Sequence, residues 1–314
     1  MSSYDNIRIG TLVSGGNGKA ADYIRQINHH GFESYSITFW QNTEVTDWDR
    51  FAKETREAAE EAGAIISTVS PFGNPLETTE IDLQTLKLWE DCIDNAHLFG
   101  AKLVTGFAGR LRDKSIPESI PRFKEIFTDL CKRAEDKGVK IAFENCDMGG
   151  DWHRGDWNIA HNPSAWELMF NAVPFDNIGL EWEPCHQMVS LMDPMPQLRK
   201  WIDKVFHVHG KDATIHWDLI KEFGIHTKIT AENSKELGLQ QVPSFVEHRT
   251  PGFGDSNWTD IITELRRNGY TSSIDIEGWH DPVYCGDLEM TGQVHALNYL
   301  KNCRGGSYVQ NPNT

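Results

Sequence analysis

The sequence predicts an α/β fold closed into a single-domain (β/α)8 TIM barrel, and three observations predict it. Short apolar runs bounded by turn residues alternate with longer stretches of helical periodicity, eight times along the chain. A length of 314 residues suits one such barrel with insertions. Charged side chains stand at the C-terminal ends of the last four apolar runs, and only closure of the sheet makes all those ends converge. No G-x-G-x-x-G or phosphate-loop pattern follows the first strand, which disfavours an open nucleotide-binding sheet.

The first strand reads over residues 7–13, followed by a Gly-rich turn and a helix over 19–30 that Gly31 ends. The unit recurs as strand 34–40 and helix 46–63, with Thr46 or Asp47 as the cap. Strand 64–69 leads through S-P-F-G-N-P-L to an amphipathic helix over 82–100 with a terminal Gly. Strand 103–107 and helix 120–138 form the fourth unit, and strand 140–146 precedes a long loop rich in Trp and His and a helix at 163–173. Strand 178–183 and a helix within 195–203 come next. The seventh strand, 205–213, is followed by a short helix near 217–224 and an irregular insertion at about 225–255, long enough to serve as a lid or an interface. Helix 258–269, strand 272–277 and helix 292–303 complete a domain of residues 1–304, leaving 305–314 as a polar tail.

The segment V-F-H-V-H-G-K-D-A organises the rest. Residues two apart on a strand share a face, so His207 and His209 point into one space while Phe206 and Val208 take the other side. K-I-A-F-E-N, I-G-L-E-W-E and S-I-D-I-E deliver Glu144, Glu183 and Glu277 at the ends of their own runs. A lone strand-end carboxylate would read as a structural ion pair, but burying several costs too much unless a cation neutralises them. Glu144, Glu183, His209 and Glu277, at the ends of strands five to eight, therefore read as ligands of a divalent metal. Oxygen donors with one nitrogen and no thiolate suit Mn2+ first, with Mg2+ or Co2+ and then Zn2+ as alternatives. Glu181, His207 and Asp275 fall one layer below, placed to hydrogen-bond the ligands.

Composition excludes several functions. With 30 basic and 46 acidic residues the formal charge is −16, which opposes nucleic acid and anionic membrane surfaces as partners. No apolar run approaches a membrane span and no signal-peptide core follows the N-terminus. The six cysteines form no C-x-x-C pair, so they read as free thiols of a cytoplasmic protein.

On these residues the chain resembles the sugar phosphate isomerase/epimerase superfamily of xylose-isomerase-like barrels. The order Glu144, Glu183, His209, Glu277 follows the family's ligand order, Glu183-Pro-Cys-His186 resembles its Asp-x-x-His, and P-G-F-G-D-S-N-W (251–258) resembles its P-G-x-G segment. The resemblance implies that His186 contacts substrate and that Glu144 and Glu277 double as acid and base. Three positions depart from the ketose 3-epimerases: Glu183 replaces Asp, Gly150 stands where a substrate-binding Glu is expected, and G-K-D-A replaces G-E-x-N-R. An epimerase with those usual contacts is disfavoured.

The expected activity is that of a divalent-metal-dependent sugar isomerase or epimerase, in which the metal acts as Lewis acid and stabilises the enediolate formed when carbon next to a carbonyl is deprotonated. The alternative is a lyase that cleaves a 3-oxo-glycoside by β-elimination, since the chain also resembles C-glycoside deglycosidase α subunits. His153 in the long loop offers a further base, and Trp152 and Trp279 offer surfaces for a sugar or aglycone. Lys211 and Asp212 read equally as substrate contacts or part of a turn, and Arg249 either binds substrate or pairs with Glu247. Trp40, Phe72, Phe107 and Trp279 read as pocket walls. The partners expected are a small-molecule sugar or glycoside and a second copy of the chain, or a small β subunit if the lyase reading holds. A sugar-binding subunit without turnover and a DNA-cleaving barrel are the remaining classes. The first is opposed by the intact Glu144 and Glu277, the second by the acidic charge and by early strands without further metal ligands.

Overall fold

The computed structural model describes residues 7–225 and 245–306. In chain order the elements begin with β1 (Arg8–Ser14), α1 (Ala20–Ile27), β2 (Ser34–Trp40), α2 (Trp48–Glu61), β3 (Ile65–Phe72), α3 (Glu80–Asn95) and β4 (Leu103–Gly106). They continue with α4 (Ile116–Asp136), β5 (Lys140–Glu144), α5 (Pro163–Ala172), β6 (Ile178–Trp182), α6 (Cys185–Val189), α7 (Pro194–Trp201) and β7 (Val205–Gly210). The remainder are β8 (Asp212–Ile215), α8 (Trp217–Phe223), β9 (Val246–Arg249), α9 (Trp258–Arg267), β10 (Ser273–Ile276) and α10 (Glu289–Arg304). Strands β1 to β7 and β10 close a parallel barrel in the order β1-β10-β7-β6-β5-β4-β3-β2, with β1 pairing parallel to both β10 and β2.

The predicted alternation holds, with three local differences. Helix α4 starts four residues before its predicted position because Ser115 and Glu118 form a reciprocal capping box ahead of Pro117. The seventh run breaks at Lys211: β7 ends at Gly210, and Asp212–Ile215 leaves the barrel to pair antiparallel with β9, Asp212 opposite Arg249. The short helix α6 follows β6 directly, where no helix is predicted. Within the predicted insertion at about 225–255, residues 226–244 lie outside the described residues, as does the tail from 307 on.

Two kinds of packing follow from the two-residue period of the strands. Between barrel and helices the core is aromatic: Trp89, Phe123, Phe127 and Phe143 meet at ring separations of 4.8–6.2 Å. Inside the barrel, by contrast, β2, β3 and β4 present hydroxyls, with Ser36 bonded to Thr68 at 2.6 Å and Ser70 to Thr105 at 2.7 Å. A polar interior is stable only when satisfied, and these hydroxyls satisfy one another. Gly10 is required here: a Cβ on it would come within 2.2 Å of both Asp275 Oδ1 and the Ser34 carbonyl.

The N-terminal rim is latched by Glu33, which accepts from the Ile9 amide at 2.9 Å and from both terminal nitrogens of Arg304, while Arg304 also donates to the Ile7 carbonyl at 2.7 Å. The last helix is thereby tied to the first strand. All six cysteines are free thiols. Among the described residues no helix is long and apolar enough to cross a membrane.

Candidate metal centre

The C-terminal ends of β5, β6, β7 and β10 gather Glu144, Glu183, His209 and Glu277, one donor atom from each lying within 4.8 Å of the others, all buried. His209 Nδ1 faces the space between two of them, 3.5 Å from Glu144 Oε1 and 3.4 Å from Glu277 Oε2. Local bonds fix the strand ends. Asn145 clamps the Glu183 backbone, donating to its carbonyl at 3.0 Å and accepting from its amide at 2.7 Å. Asn158 donates to the carbonyls of Glu144 and Cys146 and so folds the long loop back over β5.

The layer below sets the imidazole. Glu181 Oε1 lies 3.1 Å from His209 Nε2 and accepts from His207 Nδ1 at 2.8 Å. His207 Nε2 donates to Asp275 Oδ2 at 2.8 Å, and Asp275 is held in turn by the Ser34 and Ser67 hydroxyls. Carboxylates face this ring on both nitrogens; burial opposes the charged form, but Asp275 and Glu181 outweigh it and raise the His207 pKa. With its Nε2 turned to a carboxylate, His209 offers Nδ1 to the site, the arrangement that orients metal-binding histidines.

Whether these residues fit a cation can be tested on their own satisfaction. Both carboxylate oxygens of Glu183, Glu277 Oε2 and both ring nitrogens of His209 are buried without a hydrogen-bond partner among the described residues. Native interiors rarely leave such atoms unpaired. Burial, reinforced by the Glu277 and Glu144 charges, pushes Glu183 up to about 7. Burial also raises Glu144, with Glu277 adding to it and His209 opposing. At Glu277 burial acts in the same direction, but the Lys211 ammonium and His209 overcome it and hold the carboxyl well below the usual range. Crowded carboxylates with unpaired oxygens and one outward imidazole nitrogen fit a hard divalent cation.

A cavity of about 460 Å³ opens over these groups. The structure brings His186 and Lys211 into it: Lys211 Nζ donates to Glu277 Oε1 at 2.7 Å and lies 3.2 Å from His186 Nε2, which is 3.1 Å from Glu183 Oε1. Trp40, Phe72, Phe107 and Trp279 line the cavity, as their strand-end positions predict.

Other predicted residues do not come to the site. Asp151 accepts from the amides of His153 and Arg154 at 2.7 and 2.9 Å, an Asx turn that leaves His153 exposed at the surface and outside the cavity lining. Trp152 packs partly buried on the main core, and its carbonyl accepts from Ile116 at the start of α4. Arg249 is engaged by Asp281 at 3.0 Å and Glu247 at 3.4 Å. Asp212 is structural, accepting from the Ser256 amide and from Trp258 Nε1 and so anchoring the 251–258 segment.

Sequence reasoning missed His248 and His280. Their rings lie 5.6 Å apart, and His248 sits 5.1 Å from His186. Burial, reinforced by the Lys211 ammonium, lowers both, His248 well below the usual value and His280 to about 3. The W-H pair at 279–280 could have flagged His280, whereas β9 carries no apolar alternation to flag His248.

A family model described as xylose isomerase-like TIM barrel matches residues 24–303. An inosose dehydratase of Lactiplantibacillus plantarum is 28% identical over 195 residues, 60% of this chain and 59% of that protein. The chain spans about half the length of the curated relatives it matches. Among solved structures, the apo 3-keto-D-glucoside 4-epimerase YcjR from E. coli superposes with a TM-score of 0.64 at 14% identity, over 95% of this chain and all of that one. The IOLI protein with a bound zinc atom superposes at 0.61 and 16% identity, over 95% and 96% of the two chains. At these identities the structural likeness shows the fold.

Proposed function

Because the chain belongs to the xylose isomerase-like TIM barrel family, we propose that it is a divalent-metal-dependent enzyme that moves a proton on carbon next to the carbonyl of a keto-sugar or oxidised glycoside. The observation that carries this reading is the convergence of four buried donor residues, among which both Glu183 oxygens, Glu277 Oε2 and both His209 ring nitrogens have no hydrogen-bond partner among the described residues. Glu144, Glu183, His209 and Glu277 are the groups that would hold the ion, and Mn2+ suits three carboxylates and one imidazole best. When bound, the cation supplies Lewis-acid polarisation of the substrate carbonyl.

The chain's own residues do the rest. Glu144 and Glu277 stand on either side of His209 Nδ1 and are the groups that take up and return the proton. Lys211 locks one oxygen of Glu277 and leaves the other directed at the site, while its remaining hydrogens are free to orient a substrate hydroxyl or carbonyl oxygen beside His186. Glu181, which also pairs with His207, lies 3.1 Å from His209 Nε2 and so leaves Nδ1 as the ring nitrogen directed at the site.

Proton return to the neighbouring carbon or to the opposite face gives isomerisation or epimerisation. Where a leaving group sits β to the carbonyl, its departure gives elimination instead. The resemblance to inosose dehydratases favours that second outcome. The test is incubation of the manganese-loaded protein in heavy water with a panel of keto-sugars, keto-polyols and 3-oxo-glucosides, read by mass spectrometry. Deuterium gain without loss of mass fragments identifies an isomerase or epimerase. Loss of water or aglycone identifies a lyase. Absence of both carbon-bound exchange and fragment loss across the panel overturns the reading.

A further inference from the structure

His186 enters the cavity with its two ring nitrogens in different company. Nε2 faces a donor and an acceptor together, Lys211 Nζ at 3.2 Å and Glu183 Oε1 at 3.1 Å, so that side alone does not decide which nitrogen carries the proton. Nδ1 is buried without a hydrogen-bond partner among the described residues, and a carboxylate faces it, Asp147 Oδ2 at 3.8 Å. That separation is longer than a direct bond, yet too short to seat a bridging water with a bond of about 2.8 Å on each side. A small rotation of either side chain closes it, and bonds of this kind commonly run long until a ligand is in place.

The backbone around Asp147 is built to aim its side chain. Met148 adopts φ 52° and Gly149 φ 74°, so two consecutive residues are left-handed and only the second is a glycine. The Gly150 amide closes the turn onto the Asp147 carbonyl at 2.8 Å, and the Gly149 amide donates to Asp147 Oδ1 at 2.7 Å. One carboxylate oxygen is thereby fixed to the backbone, and the other is left toward His186. A strained residue at this point, itself in the cavity lining, is a feature that functional sites retain. Burial would raise the Asp147 carboxyl, but His186, the Gly149 amide and His161 outweigh it, so it stays an ionised acceptor.

We propose that Asp147 is the positioning residue of His186: it accepts from Nδ1–H, so that Nε2 turns a lone pair to the site. Nε2 then accepts from Lys211 or from a substrate hydroxyl and makes no bond to Glu183, whose Oε1 stays free for a cation. The reverse tautomer would donate Nε2–H to Glu183 and occupy an oxygen that the four-residue cluster needs. This deepens the reading of the site given above and rests on it for the cation and the substrate; the tautomer itself depends on neither.

Nitrogen-15 NMR of the histidine-labelled protein, without metal and at mildly alkaline pH, tests the tautomer. Protonated and unprotonated ring nitrogens resonate far apart, and comparison with His186→Gln assigns the signal. The parent is expected to carry its proton on Nδ1 alone. Asp147→Asn keeps an acceptor for the Gly149 amide but turns an amide donor to the ring, and is expected to move the proton to Nε2. Calorimetry with manganese is expected to show about tenfold weaker binding in that variant. A parent ring protonated on Nε2, alone or together with Nδ1, overturns the proposal, and so does a tautomer that Asp147→Asn leaves unchanged. An inverted tautomer with equal manganese affinity, or with no manganese binding by either protein, upholds the role of Asp147 and counts against the metal reading alone.

Discussion

Glu181 shows how much a single carboxylate below the site controls. It lies against both histidines of β7, accepting from His207 Nδ1 and standing 3.1 Å from His209 Nε2, on the side of that ring turned away from the four-residue cluster. Removal of its charge in Glu181→Gln is expected to weaken manganese binding about 10- to 100-fold, measured by calorimetry, although Glu181 is not one of the four ligands. Manganese is expected to raise the Tm of the parent protein, and Glu183→Ala to abolish that rise. His153→Ala belongs to a different category: the residue is exposed on an Asx turn, and its loss should change unfolding free energy by no more than about 0.5 kcal/mol in urea titrations. The sequence made the four-residue cluster legible because a two-residue strand period puts His207 and His209 on one face and Glu181 beside Glu183. It did not reveal that His153 turns outward, because the Asp151 turn competes with any attraction of the loop to the cavity. Lys211 remained open for a similar reason, as a G-K-D turn looks the same whether its lysine enters the site or leaves it.

At the scale of elements, alternation of short apolar runs and amphipathic stretches was enough to place all the barrel strands, and β2 spans the residues its pattern predicts. What escaped was the ribbon of β8 and β9. Its second strand, Val-Glu-His-Arg, lacks alternation, and its partner lies in a run that reads as a continuation of β7. The ribbon matters because β9 brings His248 to the cavity and Asp212 ties the following turn to α9. Asp212→Ala leaves the Ser256 amide and the buried Trp258 indole without their acceptor. Destabilisation of about 1–3 kcal/mol per orphaned donor is expected from urea unfolding. Loss of order in the turn should also lower affinity for ligands that reach His248.

For the molecule as a whole, closure depends on the contact of β1 with β10 and on the Glu33 latch beneath it. Burial would raise the Glu33 pKa, but Arg304, the Ile9 amide and Lys301 prevail and lower it. A carboxyl with a depressed native value contributes stability that is complete above its unfolded value of about 4.3 and is lost as pH falls through the native one. The stability gap between the parent and Glu33→Gln should therefore be widest near neutrality and close as pH drops below about 4, read by urea unfolding at each pH. The same closure orders events during biosynthesis. The four donor residues are translated between positions 144 and 277, and β1, translated before them, finds its remaining neighbour only when β10 follows. At about 5–20 residues per second a nascent chain spends many seconds as an incomplete arc with two open edges and an unfinished donor set. The four candidate donors thus stand together only in the final stage of synthesis, and the last two staves to arrive complete the set.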